Sequence, residues 1–454
     1  MPTPLPPEWP DRLALDRAHV WHPFTQMQVH EADPPVALVG AEGCDLLLAN
    51  GERVLDGISS WWTCLHGHGH PRLVSALERQ ASKLDHAMFA GFTHEPALEL
   101  VTRLRPKLPA KLTRAFFSDD GSTAVEVALK MAFQAQLQRG ENGRVRFGAL
   151  RGGYHGDTLG AVGVGELENF MTGLFRPLLL ACERLEVPED PRHEIRPDLA
   201  GWPERLEHAH QDMRSFFTQH GERLAAFIAE PLIQCAGGMR MWPAELLQEL
   251  RAQCDAHGVY LILDEVATGF GRTGTFLACE QAGVAPDLLC LSKGLTGGTL
   301  PLSMTWATEA IYSQFWGTPA SGRAFLHGHS YTANATACAV ACASLALFDD
   351  EPVLANAQAI AAAMREAFTT FSTHPGVRQA RTLGAIGACR LVDPATGNAH
   401  DPGDRFGWRL HRRALDNGLL VRPIGDCLYL MPPLNTPPAR IREAVETLVE
   451  LLPG

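Results

Sequence analysis

Short apolar runs alternate with longer amphipathic stretches through the middle of the chain. Five runs are short, apolar and bounded by turn or helix signals, and we predict strands at 146–150, 225–229, 259–263, 288–291 and 302–306. The stretch from 121 to 140 instead repeats apolar residues at helical spacing. Its apolar face consists of Val125, Ala128, Leu129, Ala132 and Phe133 and the helix is expected to end at Gly140. This alternation predicts an α/β fold with a mostly parallel sheet and helices on both faces.

The two ends of the chain have different patterns. Residues 36–57 alternate apolar runs with Glu-Gly and Asn-Gly turn signals, which predicts a small antiparallel meander. The first fifteen or so residues are rich in proline, and we expect an irregular arm. After residue 345 the order is helix, strands and helix, which is typical of a smaller α+β unit. We therefore predict an arm and meander over 1–65 that belong to the small domain, a large domain over 66–344, and a C-terminal small domain over 345–454.

Composition and charge exclude several classes of protein. The 454 residues are 46% hydrophobic and 20% charged, an ordinary globular balance, with a formal net charge of −12. An acidic chain without a basic block is not expected to bind nucleic acid or an anionic membrane. No signal peptide and no membrane span are expected. The eleven cysteines are scattered, without a CxxC pair, which favours a reducing, cytoplasmic location and no zinc site.

Candidate chemistry comes first from two predicted strand ends. Asp264 follows the strand 259–263, and Lys293 follows the strand 288–291 and precedes a glycine-rich bend. In open α/β sheets, ligands bind beyond the carboxyl ends of the strands, so the carboxylate and the amine are expected to face one crevice. Lys293 is either a surface lysine that follows a strand or a Schiff-base lysine activated by burial. Asp264 is either a turn cap or the partner of a pyridinium nitrogen.

Two further stretches add candidates of the same kind. The sequence SDDGSTAVE (118–126) leads from a strand into the helix described above, so Gly121 and Ser122 form either an ordinary helix cap or an anion site. Tyr154 lies between glycines after the strand 146–150. It is either a core tyrosine or a ring that stacks on a flat cofactor. The chain thus contains, in this order, a possible anion site at the start of a helix, an aromatic ring, and an acid and a lysine that each follow a predicted strand.

This order of motifs resembles the pyridoxal-phosphate enzymes with the aspartate-aminotransferase fold, and specifically the class III aminotransferases. The resemblance is nearly full-length, and its stretches are GSTAVEVALKMA, RGGYHGDTLGA, IAEPLIQCAGGM, LILDEVATGFGRTG and LSKGLTGG. It implies pyridoxal 5'-phosphate as cofactor, with Lys293 as the Schiff-base lysine and Asp264 at the pyridine nitrogen. It also implies Tyr154 on the ring face, and Gly121 with Ser122 at the phosphate.

Four further stretches are more discriminating within this family. VWHPFTQM (20–27), SSWWTCLHGHGHP (59–71), HGHSYTAN (327–334) and VRPIGDCLYLMPP (421–433) resemble the members that act in biotin synthesis. Those members convert 8-amino-7-oxononanoate to 7,8-diaminononanoate with S-adenosylmethionine as amino donor. The acceptor is a long apolar chain that ends in a carboxylate. Trp61 and Trp62 are expected to wall its channel, Arg422 to bind its carboxylate as a bidentate pair, and Tyr429 to stand nearby.

The resemblance implies three more site residues. Ser330 is expected to reach the phosphate of a neighbouring subunit, so a homodimer is expected. Arg272, in the sequence GFGRTG, is a further active-site candidate. Asp157, three residues after Tyr154, places negative charge near a cationic donor. Small molecules are the partners that this assignment implies.

One position departs from the pattern of the resemblance. Related sequences often have tyrosine in the WHPY motif, whereas this chain has Phe24, which lacks the hydroxyl that faces the substrate amine. Some relatives with WHPF take the amino group from lysine, so lysine remains an alternative donor. Another ω-aminotransferase and a non-enzymatic binding module are the remaining alternatives. The tract HGHGH (66–70) lies in a glycine-rich loop, and we expect no metal there.

Overall fold

The computed structural model describes residues 5–166 and 171–453. The strands are β1 (Leu38–Glu42), β2 (Asp45–Leu48), β3 (Arg53–Asp56), β4 (Leu112–Ser118), β5 (Arg146–Leu150), β6 (Cys182–Leu185), β7 (Leu224–Ala229), β8 (Ile233–Gln234), β9 (Arg240–Met241), β10 (Tyr260–Asp264), β11 (Leu288–Leu291), β12 (Ser303–Thr308), β13 (Val377–Leu383), β14 (Ile386–Leu391), β15 (Leu419–Leu420) and β16 (Cys427–Leu430). The helical segments are α1 (Trp9–His19), α2 (Met27–Ala32), α3 (Ser59–Trp62), α4 (Pro71–Lys83), α5 (Glu95–Leu104), α6 (Gly121–Gln138), α7 (Leu159–Val164), α8 (Met171–Phe175), α9 (Trp202–His220), α10 (Ala244–His257), α11 (Glu309–Tyr312), α12 (Ala335–Asp350), α13 (Val353–Phe371), α14 (Phe406–Leu415) and α15 (Pro438–Leu451).

The central element is a seven-stranded sheet with the order β4-β12-β11-β10-β7-β5-β6. Only β12 runs antiparallel to its neighbours, so the sheet is mostly parallel, as the sequence predicts. All six residues of β7 and all five of β10 are buried. Strands covered on both faces need apolar side chains at successive positions, which explains their continuous hydrophobic runs.

Helix α6 covers one face of this sheet as the sequence predicts. Val125, Ala128 and Ala132 are fully buried against it, and the helix ends two residues before Gly140. At its other end, an Asp120 carboxylate accepts the backbone N–H of Thr123 (2.9 Å) and forms a capping box. The cap fixes where the helix begins, and it therefore fixes the direction of the free N–H groups in its first turn.

The first and last parts of the chain meet in a second sheet. Strands β1, β2 and β3 form the predicted antiparallel meander, and β15 adds to β3 in parallel through Leu419 opposite Leu55. A third sheet has the order β13-β14-β16. Strand β3 of the N-terminal segment thus pairs with a strand from the C-terminal part of the chain. The boundary predicted at residue 344 falls inside α12, and the division of the chain into domains stays a prediction.

The N-terminal arm differs from the expectation of an irregular segment. Residues Trp9–His19 form helix α1, which tolerates Pro10 because this residue lies in the first turn, where a missing backbone N–H removes no helical hydrogen bond. Proline content alone therefore gave the wrong prediction for this segment. Among the described residues, no helix combines the length and the apolar character that crossing a bilayer would require.

Candidate active site

Lys293 and Asp264 lie side by side at the carboxyl edge of the large sheet. Asp264 ends β10 in register with Cys290 of the parallel strand β11, and Lys293 follows that strand at the start of a short 3₁₀ helix. Both side chains line one cavity, together with Trp62, Asp120, Gly121, Ser122, Tyr154, His155, Gly156, Glu230, Val266 and Ala267. Burial lowers the pKa of Lys293. A lysine with a lowered pKa in a cavity is suited to act as a nucleophile or a base.

Asp264 is held by two contacts within the protein. One carboxylate oxygen lies 2.8 Å from Nδ1 of His155, and the other accepts the backbone N–H of Val266 at 3.1 Å. Both Asp264 and His155 are buried, and the Nε2 atom of His155 has no hydrogen-bond partner among the described residues. The carboxylate is therefore fixed in place before any ligand binds.

The start of α6 forms the opposite end of the cavity. Gly121 packs so closely on Val266 that a Cβ atom there would lie 2.7 Å from a valine methyl. Gly156 adopts a φ of +120°, and a Cβ atom on it would lie 2.1 Å from Oγ of Ser122. Only glycine fits such approaches. The loop of Tyr154 therefore lies directly against the helix N-terminus, which leaves a narrow space with backbone N–H donors at one end.

Tyr154 is fixed at both its backbone and its hydroxyl. Its N–H donates to Glu230 (3.0 Å), and its hydroxyl donates to Asp157 (2.9 Å). Burial, and next the negative charge of Asp157, raise the pKa of Tyr154, so the phenol stays protonated. The N–H of Asp157 in turn donates to Oγ of Ser122 at 3.1 Å. These contacts join the predicted ring-facing residue to the predicted phosphate-binding residue.

The tryptophan pair lies on an unusual backbone. Ser59, Ser60, Trp61 and Trp62 all have positive φ, between 47° and 71°, so α3 is a left-handed turn without glycine. Left-handed helical conformation costs about 1–2 kcal/mol per non-glycine residue. Such strain is found mainly where a functional arrangement depends on it.

The turn places the two indoles on different surfaces. Trp62 is buried, its Nε1 donates to the hydroxyl of Tyr429 at 3.2 Å, and its ring centroid lies 4.5 Å from Nζ of Lys293. Trp61 is 39% exposed and makes an edge contact with Phe24 at 5.5 Å between ring centroids. The N-terminal arm therefore reaches the surface beside the cavity.

Arg422 lies between two aromatic rings. Its guanidinium carbon is 5.3 Å from the ring centroid of Trp61 and 5.6 Å from that of Trp408. Within residues 5–166 and 171–453 we find no carboxylate paired with it. Burial lowers the pKa of Arg422. A partly buried guanidinium without a carboxylate partner is suited to bind the carboxylate of a ligand.

Two predicted site residues have other contacts in this structure. Arg272 is fully buried, and its guanidinium donates to the carbonyls of Pro432 (2.6 Å), Cys64 (3.1 Å) and Trp62 (3.4 Å). These bonds tie the tryptophan turn to the C-terminal part of the chain. Ser330 is exposed and does not line the cavity of its own chain. Their predicted roles toward substrate and phosphate stay predictions.

Glu230 and His155 line the cavity, but the sequence did not predict them as site residues. Glu230 follows β7, which lies between β5 and β10, so the strand-end rule that selected Asp264 also applies to it. It accepts the N–H groups of Tyr154 and Cys235 at 3.0 Å each, and burial raises the pKa of Glu230 to about 7. His155 is adjacent to Tyr154 but gave no signal of its own, because only the fold brings it to Asp264.

The three histidines of the HGHGH tract have separate partners. His66 lies 3.0 Å from Oγ of Ser344, His68 lies 2.9 Å from Asp56, and His70 lies 3.5 Å from Glu351. In the described part of the chain, one group of three potential metal ligands has its ligand atoms within 4.8 Å, namely Asp16, His22 and His30. A 2.9 Å hydrogen bond between His22 and Asp16 accounts for part of that closeness.

The cavity suits a flat, anionic cofactor. Backbone N–H groups at a helix start bind phosphate, and a fixed carboxylate stabilises a protonated ring nitrogen. The close approaches of Gly121 and Gly156 leave a narrow space rather than a round one. Lys293 and Asp264 line the same cavity, so one bound cofactor would lie within reach of both.

Comparison with known proteins identifies the family. The sequence profile of the family "Aminotransferase class-III" matches residues 26–452. An adenosylmethionine-8-amino-7-oxononanoate aminotransferase of Synechococcus elongatus is 45% identical over 438 residues, which are 96% of this chain and 98% of that one. The crystal structure of the enzyme with the same name from Methanocaldococcus jannaschii superposes with a TM-score of 0.91 at 34% identity, covering 98% of both chains.

A second solved structure carries the cofactor. It is an amine transaminase from an uncultivated Pseudomonas species with pyridoxal phosphate bound, with a TM-score of 0.85 and 33% identity over 95% of this chain and 96% of that one. The family match and the identities extend over nearly the whole chain, and the mostly parallel sheet agrees with the predicted fold. This chain therefore belongs to the class III aminotransferases.

Proposed function

We propose that this enzyme transfers an amino group from S-adenosylmethionine to 8-amino-7-oxononanoate, yielding 7,8-diaminononanoate for biotin synthesis. The relatives reported above carry the names of this donor and this acceptor. The observation that supports the acceptor best is Arg422, which stacks on Trp61 and has no carboxylate partner among the described residues. A long apolar acceptor with a terminal carboxylate needs an aromatic wall followed by a cation.

The cofactor in this proposal is pyridoxal 5'-phosphate. Its protonated ring withdraws electrons from the substrate carbon, which lets a proton leave that carbon. Gly121 and Ser122 would hold the phosphate at the start of α6, and Asp264 would keep the ring nitrogen protonated. The bond to His155 orients that carboxylate. Tyr154 would cover one ring face.

Lys293 is proposed to move the proton. Burial lowers the pKa of its ammonium group, so a larger fraction of the amine is unprotonated at neutral pH. In the first half-reaction the amine would take a proton from the donor carbon and deliver it to the cofactor, and in the second it would move a proton from the cofactor to the acceptor carbon. The indole of Trp62, 4.5 Å from Nζ, covers the amine on one side and excludes water there.

The donor is proposed to bind on the other side of the cavity. Asp157 is exposed, and its carboxylate is positioned by the hydroxyl of Tyr154. A negative charge there would attract the sulfonium and amino groups of S-adenosylmethionine. Phe24, 61% exposed and in contact with Trp61, would supply apolar contact but no hydrogen bond. Lysine is therefore the alternative donor for the same acceptor.

We further propose a cytoplasmic homodimer. Segments 85–92 and 326–336 lie side by side, since the His86 ring lies 5.0 Å from that of Tyr331 and its Nε2 lies 2.6 Å from the carbonyl of Ser330. Both segments expose large apolar side chains, namely Met88, Phe92, Leu326 and Tyr331. Exposed apolar surface of this kind is typical of subunit interfaces. A dimer through this surface would bring Ser330 to the partner's cofactor.

A single-turnover absorbance experiment tests the proposal. Cofactor-loaded enzyme is mixed separately with S-adenosylmethionine, lysine and alanine while the visible band of the cofactor is followed. We expect bleaching by S-adenosylmethionine and recovery of the band with 8-amino-7-oxononanoate but not with pyruvate. Bleaching by lysine but not by S-adenosylmethionine would keep the proposed acceptor and would identify lysine as the donor. Recovery with pyruvate alone would favour an ω-aminotransferase, and no bleaching by any amine would contradict the proposal.

Steady-state kinetics give a second test. Two unlike substrates that use one pocket in turn give ping-pong kinetics. Initial rates at several fixed donor concentrations should therefore yield parallel double-reciprocal lines. Intersecting lines would contradict the scheme.

A further inference from the structure

The left-handed turn Ser59–Trp62 needs an external support. Its four residues all have positive φ and none is glycine, so their own backbone preferences oppose this conformation. The turn carries both indoles of the proposed acceptor wall. If it relaxed to a right-handed conformation, Trp61 and Trp62 would point elsewhere.

Asp56 supports the beginning of the turn. Its carboxylate is fully buried and accepts three hydrogen bonds, from the N–H of Ile58 (3.3 Å), the N–H of Ser60 (2.9 Å) and the hydroxyl of Ser60 (2.7 Å). It reaches these groups because it is the last residue of β3 and lies at the entrance of the turn. A buried carboxylate left without a counter-charge would be unfavourable.

His68 supplies that counter-charge. Its Nε2 lies 2.9 Å from Oδ2 of Asp56, and 17% of the His68 side chain is exposed. Burial alone would lower the pKa of His68, but hydrogen bonds to Asp56 and Cys64 raise it to about 10. The same contact lowers the pKa of Asp56 against the effect of its own burial. The pair is therefore an imidazolium and a carboxylate at neutral pH.

Other contacts hold the remainder of the turn. The hydroxyl of Ser59 donates to the carbonyl of Met431 (2.7 Å), and Arg272 donates to the carbonyl of Trp62 (3.4 Å). Neither contact reaches Ser60, whose N–H and hydroxyl both donate to Asp56. Asp56 and His68 do not line the cavity. Their effect on the reaction must therefore pass through the tryptophan turn.

We propose that Asp56 and His68 form a positioning pair that holds the left-handed turn Ser59–Trp62, and that this pair sets how well the amino acceptor binds. The identity of the acceptor in this proposal rests on the proposed function, whereas the role of the pair does not depend on it. His68 lies in the HGHGH tract, and the proposed reaction assigns it no direct role.

The test compares His68→Leu with His68→Gln. Leucine removes the bond to Asp56, whereas the glutamine amide keeps a donor for Asp56. The matched control is His70→Gln, because His70 lies in the same tract but contacts Glu351 and caps α4. Asp56→Asn is the second variant that removes the charge pair, in case His68→Leu does not fold. Each protein is measured with cofactor bound.

Hydrogen-exchange mass spectrometry gives a readout independent of activity. We expect peptides that cover residues 57–63 to exchange at least about tenfold faster in His68→Leu, because loss of a hydrogen bond to a charged group is worth a tenfold change or more. Peptides of β10 and β11 should be unchanged. His68→Gln should be intermediate, and His70→Gln should match the wild type over 57–63.

Kinetics of the two half-reactions complete the test. In His68→Leu, KM for the acceptor should rise by about tenfold or more, and bleaching of the cofactor band by the donor, which depends on Lys293 beside Trp62, should slow by a smaller factor. Unchanged exchange over 57–63, or an equal loss in both half-reactions, would overturn the proposal. If the wild type uses a different acceptor, the proposed function fails, whereas the exchange result and the KM for that acceptor still decide the role of the pair.

Discussion

The two sides of the cavity are built by opposite means. Asp264 ends β10 and Lys293 follows the adjacent parallel strand β11, and regular backbone hydrogen bonds set the spacing of the two strands. Trp62, which lines the cavity, lies with Trp61 on a strained left-handed turn that is held by Asp56 and by the distant Arg272. The first side would carry the chemistry that class III aminotransferases share, and the second would select the acceptor.

This difference indicates which part of the site can change substrate choice without disturbing the protein core. A change in the sheet would disturb a core in which β7 and β10 are fully buried. A change in the turn alters a surface held by a few hydrogen bonds, among them those of Asp56 and Arg272. We therefore expect substitutions on the sheet side to abolish the reaction, and substitutions on the turn side to change KM more than kcat.

The largest effect should come from Lys293→Ala. Cofactor should still bind through Asp264 and the start of α6, while amino transfer should fall by about 10²–10⁴-fold, which is the usual contribution of general acid–base catalysis. Cofactor content by absorbance and turnover by product formation measure the two effects. Retained turnover would contradict the assignment of Lys293.

Arg422→Ala tests the turn side directly. Loss of a charge-assisted hydrogen bond costs about 1.5–3 kcal/mol, so KM for 8-amino-7-oxononanoate should rise about 10- to 150-fold. The donor half-reaction should be nearly unchanged. Arg409→Ala is the matched control. Arg409 is an exposed arginine of α14 that lies over the ring of Phe406 in the same helix. An equal effect of both substitutions would rule out Arg422 as the carboxylate partner.

The His68–Asp56 pair gives stability a defined pH dependence. Since hydrogen bonds raise the pKa of His68 from 6.5 to about 10 despite burial, its contribution is complete below pH 6.5 and is lost as pH rises toward 10. The slope is at most about 1.4 kcal/mol per pH unit. Melting temperatures between pH 6 and 10 should thus show the gap between wild type and His68→Gln narrowing. A difference in melting temperature that stays constant with pH would show that protonation of His68 does not contribute to stability.

Phe24→Tyr should give the smallest change. A single added hydrogen bond is worth about 0.5–1.5 kcal/mol, so use of S-adenosylmethionine relative to lysine should change by about 2- to 13-fold. Competition between the two donors in one reaction measures the ratio. An unchanged ratio would show that donor choice does not depend on this position.

Much of the cofactor side could be predicted from the sequence alone. Apolar runs of strand length predicted β5, β7, β10, β11 and β12 to within two residues, and helical spacing predicted α6. Residues at the ends of such strands share one edge by geometry, so Asp264 and Lys293 were found together. These features depend on local pattern, which the sequence records directly.

Only the tertiary structure decided the other side. Nothing in the sequence SSWW indicates a left-handed turn, because the turn is held by Asp56, which pairs with His68, and by contacts with Arg272 and Met431. His155 likewise reaches Asp264 across 109 residues. Local backbone preference opposes the turn at each of its residues, and hydrogen bonds from Asp56 and from distant segments overcome that preference. The sequence alone therefore determined the sheet and the residues at its edge, whereas packing between distant segments determined the wall that faces the acceptor.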